Sequence, residues 1–170
     1  MLHKRSSVTA EVAIFIPMVA LLLMSTHTFF DAFKTYRDAQ NVTYTVSDIV
    51  SRYTEIDDSL LVDLNDIFDA VLGESDGNSF LRVTSVTEYF GEIRIDWSAS
   101  TKGATTYTTV ADLPIEDIPV LSSGETLIIV ESSYRFNPSF TPPGIIAKDY
   151  VSRSIITPRF AGKLDFVPAT

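Results

Sequence analysis

The chain has 170 residues, no cysteine and a net charge of −9. Without cysteine there is no disulfide framework, thiolate nucleophile or thiolate metal site. Beyond residue 11, 21 acidic residues face 11 basic ones, a balance that argues against nucleic acid, whose phosphates need a basic footprint, and against docking on anionic lipid headgroups.

Residues 1–6 form a short basic leader with His3, Lys4 and Arg5. From Val12 to Phe30 there follow 19 residues without a charge, VAIFIPMVALLLMSTHTFF. At a rise of about 1.5 Å per residue, such a helix covers close to the ~30 Å hydrocarbon core of a bilayer. Three readings apply. A cleaved secretory signal fits the charged start, but the run is longer than the usual apolar region, and His27 stands where a small residue is wanted. A buried core helix conflicts with apolarity on every face. A retained membrane anchor at 12–30 meets neither objection. Lys4 and Arg5 favour a cytoplasmic N-terminus and a C-terminal part across the membrane. Lys34 and Arg37 weaken that asymmetry.

Pro17 removes a helix hydrogen bond and kinks the segment, a defect tolerated in lipid when neighbouring helices or water satisfy the freed group. Glu11 sits at the edge of the apolar zone, where a carboxylate either lies shallow among headgroups or finds a cation inside the membrane. The stretch Ser6-Ser7-Val8-Thr9-Ala10-Glu11 through Pro17 resembles the opening of the TadE-like family, pseudopilin-type proteins of the tight-adherence (Flp, type IVc) pilus system. The family pattern is a short basic leader, a small residue, a Glu five positions into the mature chain, an apolar run and a Pro six residues after the Glu. The resemblance implies cleavage by a prepilin peptidase between Ser6 and Ser7. Glu11 would then be the assembly carboxylate that neutralises the amine of a neighbouring subunit. Ser6 stands where the family usually has Gly, and Val12 where an aromatic is common.

The helix is expected to continue beyond the membrane, over 7–55 in all. Tyr36, Ala39, Val42, Val46, Ile49 and Tyr53 recur at helical steps and form a packing stripe, facing either the protein's own domain or another pilin-like helix. A second helix follows: Leu60, Leu61, Leu64, Ile67, Phe68, Val71 and Leu72 share helical spacing. Asp57, Asp58 or Ser59 can cap it, and Gly73 ends it. Asp63, Asp66 and Asp69 read as a solvated face, without metal-loop spacing.

After the GESDGNS loop, Phe80–Tyr89 and the alternating Glu92–Ser98 predict a hairpin turning at Phe90-Gly91, with Trp97 a core residue. Ser98–Thr109 reads as a long turn, and 110–120, with Pro114 and Pro119, as extended chain or short turns. Ser122-Ser123-Gly124 is a further turn. Glu125–Phe136 is the strongest strand, Asn137-Pro138 ends it, and Lys148–Thr157 returns. Tyr134-Arg135-Phe136-Asn137-Pro138 and Thr157-Pro158-Arg159 also resemble the way TadE-like ectodomains close.

No catalytic constellation emerges. His3 lies in the leader and His27 in the apolar run, where a satisfied helix-interface imidazole accounts for it. No histidine is therefore left for a triad or a zinc site in the outer domain. No phosphate-binding loop is present. The expected fold is α+β: a long N-terminal helix (membrane-spanning first half, amphipathic second half), a short second helix and an antiparallel sheet, with 56–170 as a periplasmic ectodomain. The expected function is structural, not enzymatic and without cofactor or metal. It is that of a pseudopilin or minor-pilin-like component of a tight-adherence pilus assembly system at the inner membrane. The expected partners are the membrane, other pilin-like or Tad pilus assembly proteins and a prepilin peptidase, with no nucleic acid or small-molecule substrate. The alternative is a single-pass anchored periplasmic binding module outside any pilus.

Overall fold

The computed structural model describes residues 3–73, 77–138, 140–141 and 146–168, with side chains at Thr9 and from Glu11 onward. The expected α+β architecture is present. Helix α1 runs through His3–Val50, with Pro17 inside it. Strand β1 (Glu55–Asp57), helix α2 (Asp58–Leu72), β2 (Ser79–Tyr89) and β3 (Glu92–Ser100) follow, then two single turns of 3-10 helix at Val110–Asp112 and Ile115–Asp117. The chain finishes with β4 (Thr126–Phe136), β5 (Lys148–Ile156) and β6 (Asp165–Val167).

The chain divides into two compact units. One holds α1 up to Tyr36 together with Phe136–Lys148; the other holds Arg37–Arg135 and Asp149–Thr170.

In the second unit the four-stranded sheet has the order β3-β2-β4-β5, with β2 antiparallel to both β3 and β4. The hairpin turns at Phe90-Gly91, both with positive φ (52° and 88°). That twist suits a two-residue loop but strains a non-glycine residue. Where the register shifts between Ser85 and Val86, Asp96 is the extra residue of β3, and it accepts hydrogen bonds from Ser85 Oγ (3.4 Å) and Thr87 Oγ1 (2.6 Å).

The period-two alternation of β2 and β4 gives the sheet two different faces. Val83 and Val130 lie opposite one another on one face, as do Leu81 and Ser132. This face carries the helices: Thr43 Oγ1 of α1 meets Ser132 Oγ at 2.6 Å, and Ser47 Oγ meets Ser154 Oγ at 2.8 Å. The fully buried Phe68 is the largest core side chain contributed by α2. On the other face Val86, Leu127 and Ile129 form a core with Leu113, covered by Tyr107, Val110, Ile118 and Leu121 from the β3–β4 connection. Chain that its prolines and polar residues mark as surface loop thus folds back as a strap over the sheet.

The structure keeps the expected cap and stop of α2 and departs from the sequence expectation at the end of α1, on the exposed side of α2 and at Trp97. Helix α1 stops at Val50 rather than near residue 55, because Glu55–Asp57 is drawn into a parallel pair with Asp165–Val167, which no local pattern marks. The cap of α2 is Asp57, whose carboxylate accepts from Leu60 N at 2.8 Å, and Gly73 closes the helix at φ 68°. Ile67 and Val71 are half exposed, since the buried face of α2 is Leu61, Leu64, Asn65 and Phe68. Trp97 is only half buried; its indole N–H donates to Leu164 O at 2.7 Å and its ring packs on Phe166.

Candidate functional site

Two places concentrate unusual chemistry. The first is the apolar half of α1. Large side chains that a soluble domain would bury stand open here, Phe15, Ile16, Leu22 and Leu23 all more than 60% exposed. The helix is long and apolar enough to cross a membrane, and almost none of its apolar stretch is covered by protein. Its polar residues do not spoil the span. Ser25 donates to Leu21 O (2.7 Å), Thr26 to Leu22 O (2.8 Å) and Thr28 to Met24 O (3.0 Å). Each hydroxyl is thus satisfied by the carbonyl one turn back. Pro17 lacks the N–H that would reach the carbonyl of Ala13. Glu11 and His27 are both exposed. Ser6 and Ser7 fall in the helical stretch, and their side chains lie outside the described residues.

Beyond the apolar run, Ala39, Val42 and Val46 of the expected stripe are buried, Ile49 is half buried, and Tyr36 and Tyr53 are exposed. The stripe advances by 3.4 residues per step against the helix's 3.6, so its ends drift off the packed face. Tyr53 also lies beyond the helix end. The residues that complete the face are Thr43, Ser47, Val50 and Ser51, all buried. Three are hydroxyl side chains that hydrophobic periodicity passes over. At the end of α1, Arg159 N donates to Ser51 O (2.8 Å) and the Arg159 guanidinium pairs with Asp48 (2.8 Å). The return of the chain after β5 thereby ties off the helix and sets a cation near its negative end.

The second place lies beneath the strap. Glu131 of β4 is 1% exposed. Its Oε2 accepts from Arg82 Nε at 2.8 Å, with Arg82 Nη2 at 2.7 Å. Its Oε1 accepts from Arg153 Nε at 2.8 Å, with Arg153 Nη2 at 2.7 Å. Arg82 also donates to Thr105 O (2.7 Å) and Tyr107 Oη (2.8 Å), and its guanidinium lies over the Tyr107 ring at 3.9 Å. Arg153 reaches Asp117 in the strap. Burial, then the neighbouring Glu131 carboxylate, push the Tyr107 hydroxyl up from its ordinary pKa. For Arg153, burial opposes the charge, but Glu131 and Asp117 outweigh it and hold the guanidinium above its usual value. Every strong donor is paired, which makes the cluster a clamp fastening the strap to β2, β4 and β5 rather than a reacting centre.

A smaller clamp corrects one expectation. Asp69 is not solvated like Asp63 and Asp66; it accepts from Asn65 Nδ2 (3.0 Å) and Lys102 Nζ (2.6 Å) and from Ser79 Oγ. Thr101 Oγ1 in turn donates to Asn65 Oδ1 at 2.8 Å. The network joins α2 to the turn after β3, and nothing in the local sequence of α2 announces it.

No family model matches this chain, nor does any curated protein or solved structure. Among the described residues no group of three or more His, Asp or Glu side chains is placed to hold a metal ion. The concavities among the described residues include an open surface groove of about 570 Å³ between Pro119–Leu121 of the strap and Ile155–Thr157.

Glu131, Arg82 and Arg153 were legible in principle. A carboxylate inside the apolar run LIIVE demands a buried cation, and arginines stand in two other strands. Which of the 13 basic residues answers it depends on strand order.

Proposed function

We propose that this protein is a membrane-anchored structural subunit, a pseudopilin or minor-pilin-like component of a tight-adherence pilus assembly system. The observation that carries the proposal is the composition of α1. One helix carries an uncovered apolar half and an amphipathic half whose inner face is buried against an α+β domain. The Glu11 to Pro17 interval and the Tyr134–Pro138 and Thr157–Arg159 closures support the same reading. In this role the N-terminus lies in the cytoplasm and the α+β domain in the periplasm, with residues 12–30 in the inner membrane.

Glu11 is the assembly carboxylate. After cleavage between Ser6 and Ser7 by a prepilin peptidase, the new amine is a cation that must enter the membrane, where an ion is costly unless paired. A carboxylate five residues along a neighbouring chain offsets that cost and sets the register of the incoming subunit. Pro17 gives the helix a flexible point a turn and a half later.

N-terminal sequencing of the membrane-extracted protein tests the processing. A chain starting at Ser7 supports it; a chain starting at Met1 or after residue 25 sinks it. Glu11→Ala tests the assembly role: incorporation into fibres or assembly complexes is lost while membrane insertion is kept. Unchanged incorporation favours a simple anchored binding module.

A further inference from the structure

Helix α2 turns a second face to solvent. At 100° per residue Leu60, Asp63, Ile67 and Val71 share it, with Asp66 at its border. Ile67 and Val71 are 48% and 56% exposed, and Asp63 and Asp66 are exposed with no ion pair or hydrogen bond among the described residues. The stripe runs into a groove of about 430 Å³ lined by Tyr53, Glu55, Leu60 and Val167. It is apolar along its middle and acidic along its rim. Spacing of 3, 4 and 4 residues is what one helix presents to another.

A copy of the same face cannot cover it, since Asp63 and Asp66 would meet their own likeness. The occupant has to bring cations beside apolar side chains. Among the described residues, Lys34 and Lys148 are the exposed cations outside any ion pair, ring contact or hydrogen bond. Lys34 sits on the outer face of α1 with Phe30, Phe33, Arg37 and Tyr44, at steps of 3, 1, 3 and 7. Phe30 and Tyr44 are 68% and 56% exposed.

We propose that the Leu60–Val71 face of α2 docks the Phe33–Tyr44 face of α1 in a second copy of this chain, Lys34 and Arg37 lying against Asp63 and Asp66. The inference rests on the membrane-anchored assembly reading above. Such a contact joins two different surfaces. It is therefore heterologous, and it continues from copy to copy instead of closing as a dimer.

The chain has no cysteine, so introduced cysteines are the only cross-linking points. Full-length Ile67→Cys and Phe33→Cys chains carrying different tags are co-expressed, and the membranes are treated with a short bis-maleimide. A mixed-tag dimer is expected, and a ladder from the Ile67→Cys/Phe33→Cys double variant. Dimers of Ile67→Cys alone, or mixed dimers no more abundant than with a Glu116→Cys control, overturn the proposal. Asp63→Lys/Asp66→Lys should cut the mixed dimer about tenfold, and Lys34→Glu/Arg37→Glu in the partner should restore it. An unchanged yield overturns the charge pairing and leaves the aromatic and basic residues of α1 as a membrane-interface belt. Unaltered Trp97 fluorescence checks that the lysine variants are folded. An unprocessed N-terminus with the cross-link intact refutes the pilus reading alone. A processed chain without the cross-link refutes the docking alone.

Discussion

Glu131 sets the sharpest test of how the α+β domain is held together. Its carboxylate is buried, and each oxygen is held by one guanidinium with nitrogens at 2.7–2.8 Å. Glu131→Ala removes the anion that bridges Arg82, whose side chain is 14% exposed, and Arg153, 26% exposed. Breaking a buried ion pair from one side costs about 3–5 kcal/mol, because the abandoned charge stays desolvated. Here the abandoned charges are two like ones on the strands either side of β4, and Asp117 can answer only Arg153. Against a total stability of about 5–15 kcal/mol the loss is large. For a unit of this size it corresponds to a fall in Tm of roughly 10–20 °C. Urea or thermal unfolding of the full chain in detergent, followed by Trp97 fluorescence, reads it cleanly because Trp97 is the one tryptophan. The decisive comparison is the triple variant Arg82→Met/Glu131→Leu/Arg153→Met, which removes the charges together and should recover most of the loss. A single variant costing less than about 1 kcal/mol, or a triple variant as unstable as the single, refutes the desolvation account.

Other consequences follow from individual residues. Phe68→Ala empties the largest fully buried position of the domain and should cost about 3–5 kcal/mol in the same unfolding assay. Phe90→Asn relieves a non-glycine residue at φ 52° on an exposed turn and should stabilise by about 0.5 kcal/mol, as Asn-Gly suits this turn. Asp57, the α2 cap, has its pKa lowered by its hydrogen bonds to Leu60 N and Ser59. Its contribution is present above the ordinary value of 3.8 and is lost as pH falls below it through the folded value. Asp57→Asn should remove that acid-limb dependence while keeping the cap, as measured by unfolding between neutral and strongly acidic pH.

What could be read from the sequence is what local chemistry determines. The run from Val12 to Phe30, the cap-to-glycine span of α2 and the alternation of Glu92 to Trp97 each carry their own local signal, and each corresponds to an element of the fold or part of one. The parallel pairing of Glu55–Asp57 with Asp165–Val167 was not legible, because strands of three residues have no period to show. The strap was read as surface chain, since Pro114 and Pro119 forbid a ladder and say nothing of what Tyr107, Leu113 and Ile118 will cover. The Glu131 clamp needed the sheet order: Arg82 and Arg153 are 71 residues apart and converge only because β2 and β5 flank β4. Glu11 and Pro17 were visible as a spacing, and the role given to them rests on the proposed function.

The second half of α1 is built differently from α2, and the difference bears on how each helix is seated on the sheet. Helix α2 holds the sheet with Leu61, Leu64 and Phe68. The packed face of α1 after residue 37 is Ala39, Val42, Thr43, Val46, Ser47, Val50 and Ser51. Small side chains let the helix lie close to the sheet, and paired hydroxyls such as Thr43 with Ser132 and Ser47 with Ser154 fix its register. Such pairs add only about 0.5–1.5 kcal/mol each, yet leaving one partner alone in the seam costs more. A helix held in this way resists sliding along its axis more than its buried apolar area would suggest. Ser132→Ala and Ser154→Ala should therefore weaken the seam less than Val46→Leu, which overfills a close approach and displaces the helix. If unfolding measurements reverse that order, hydroxyl pairing rather than close packing is what seats α1 on the sheet.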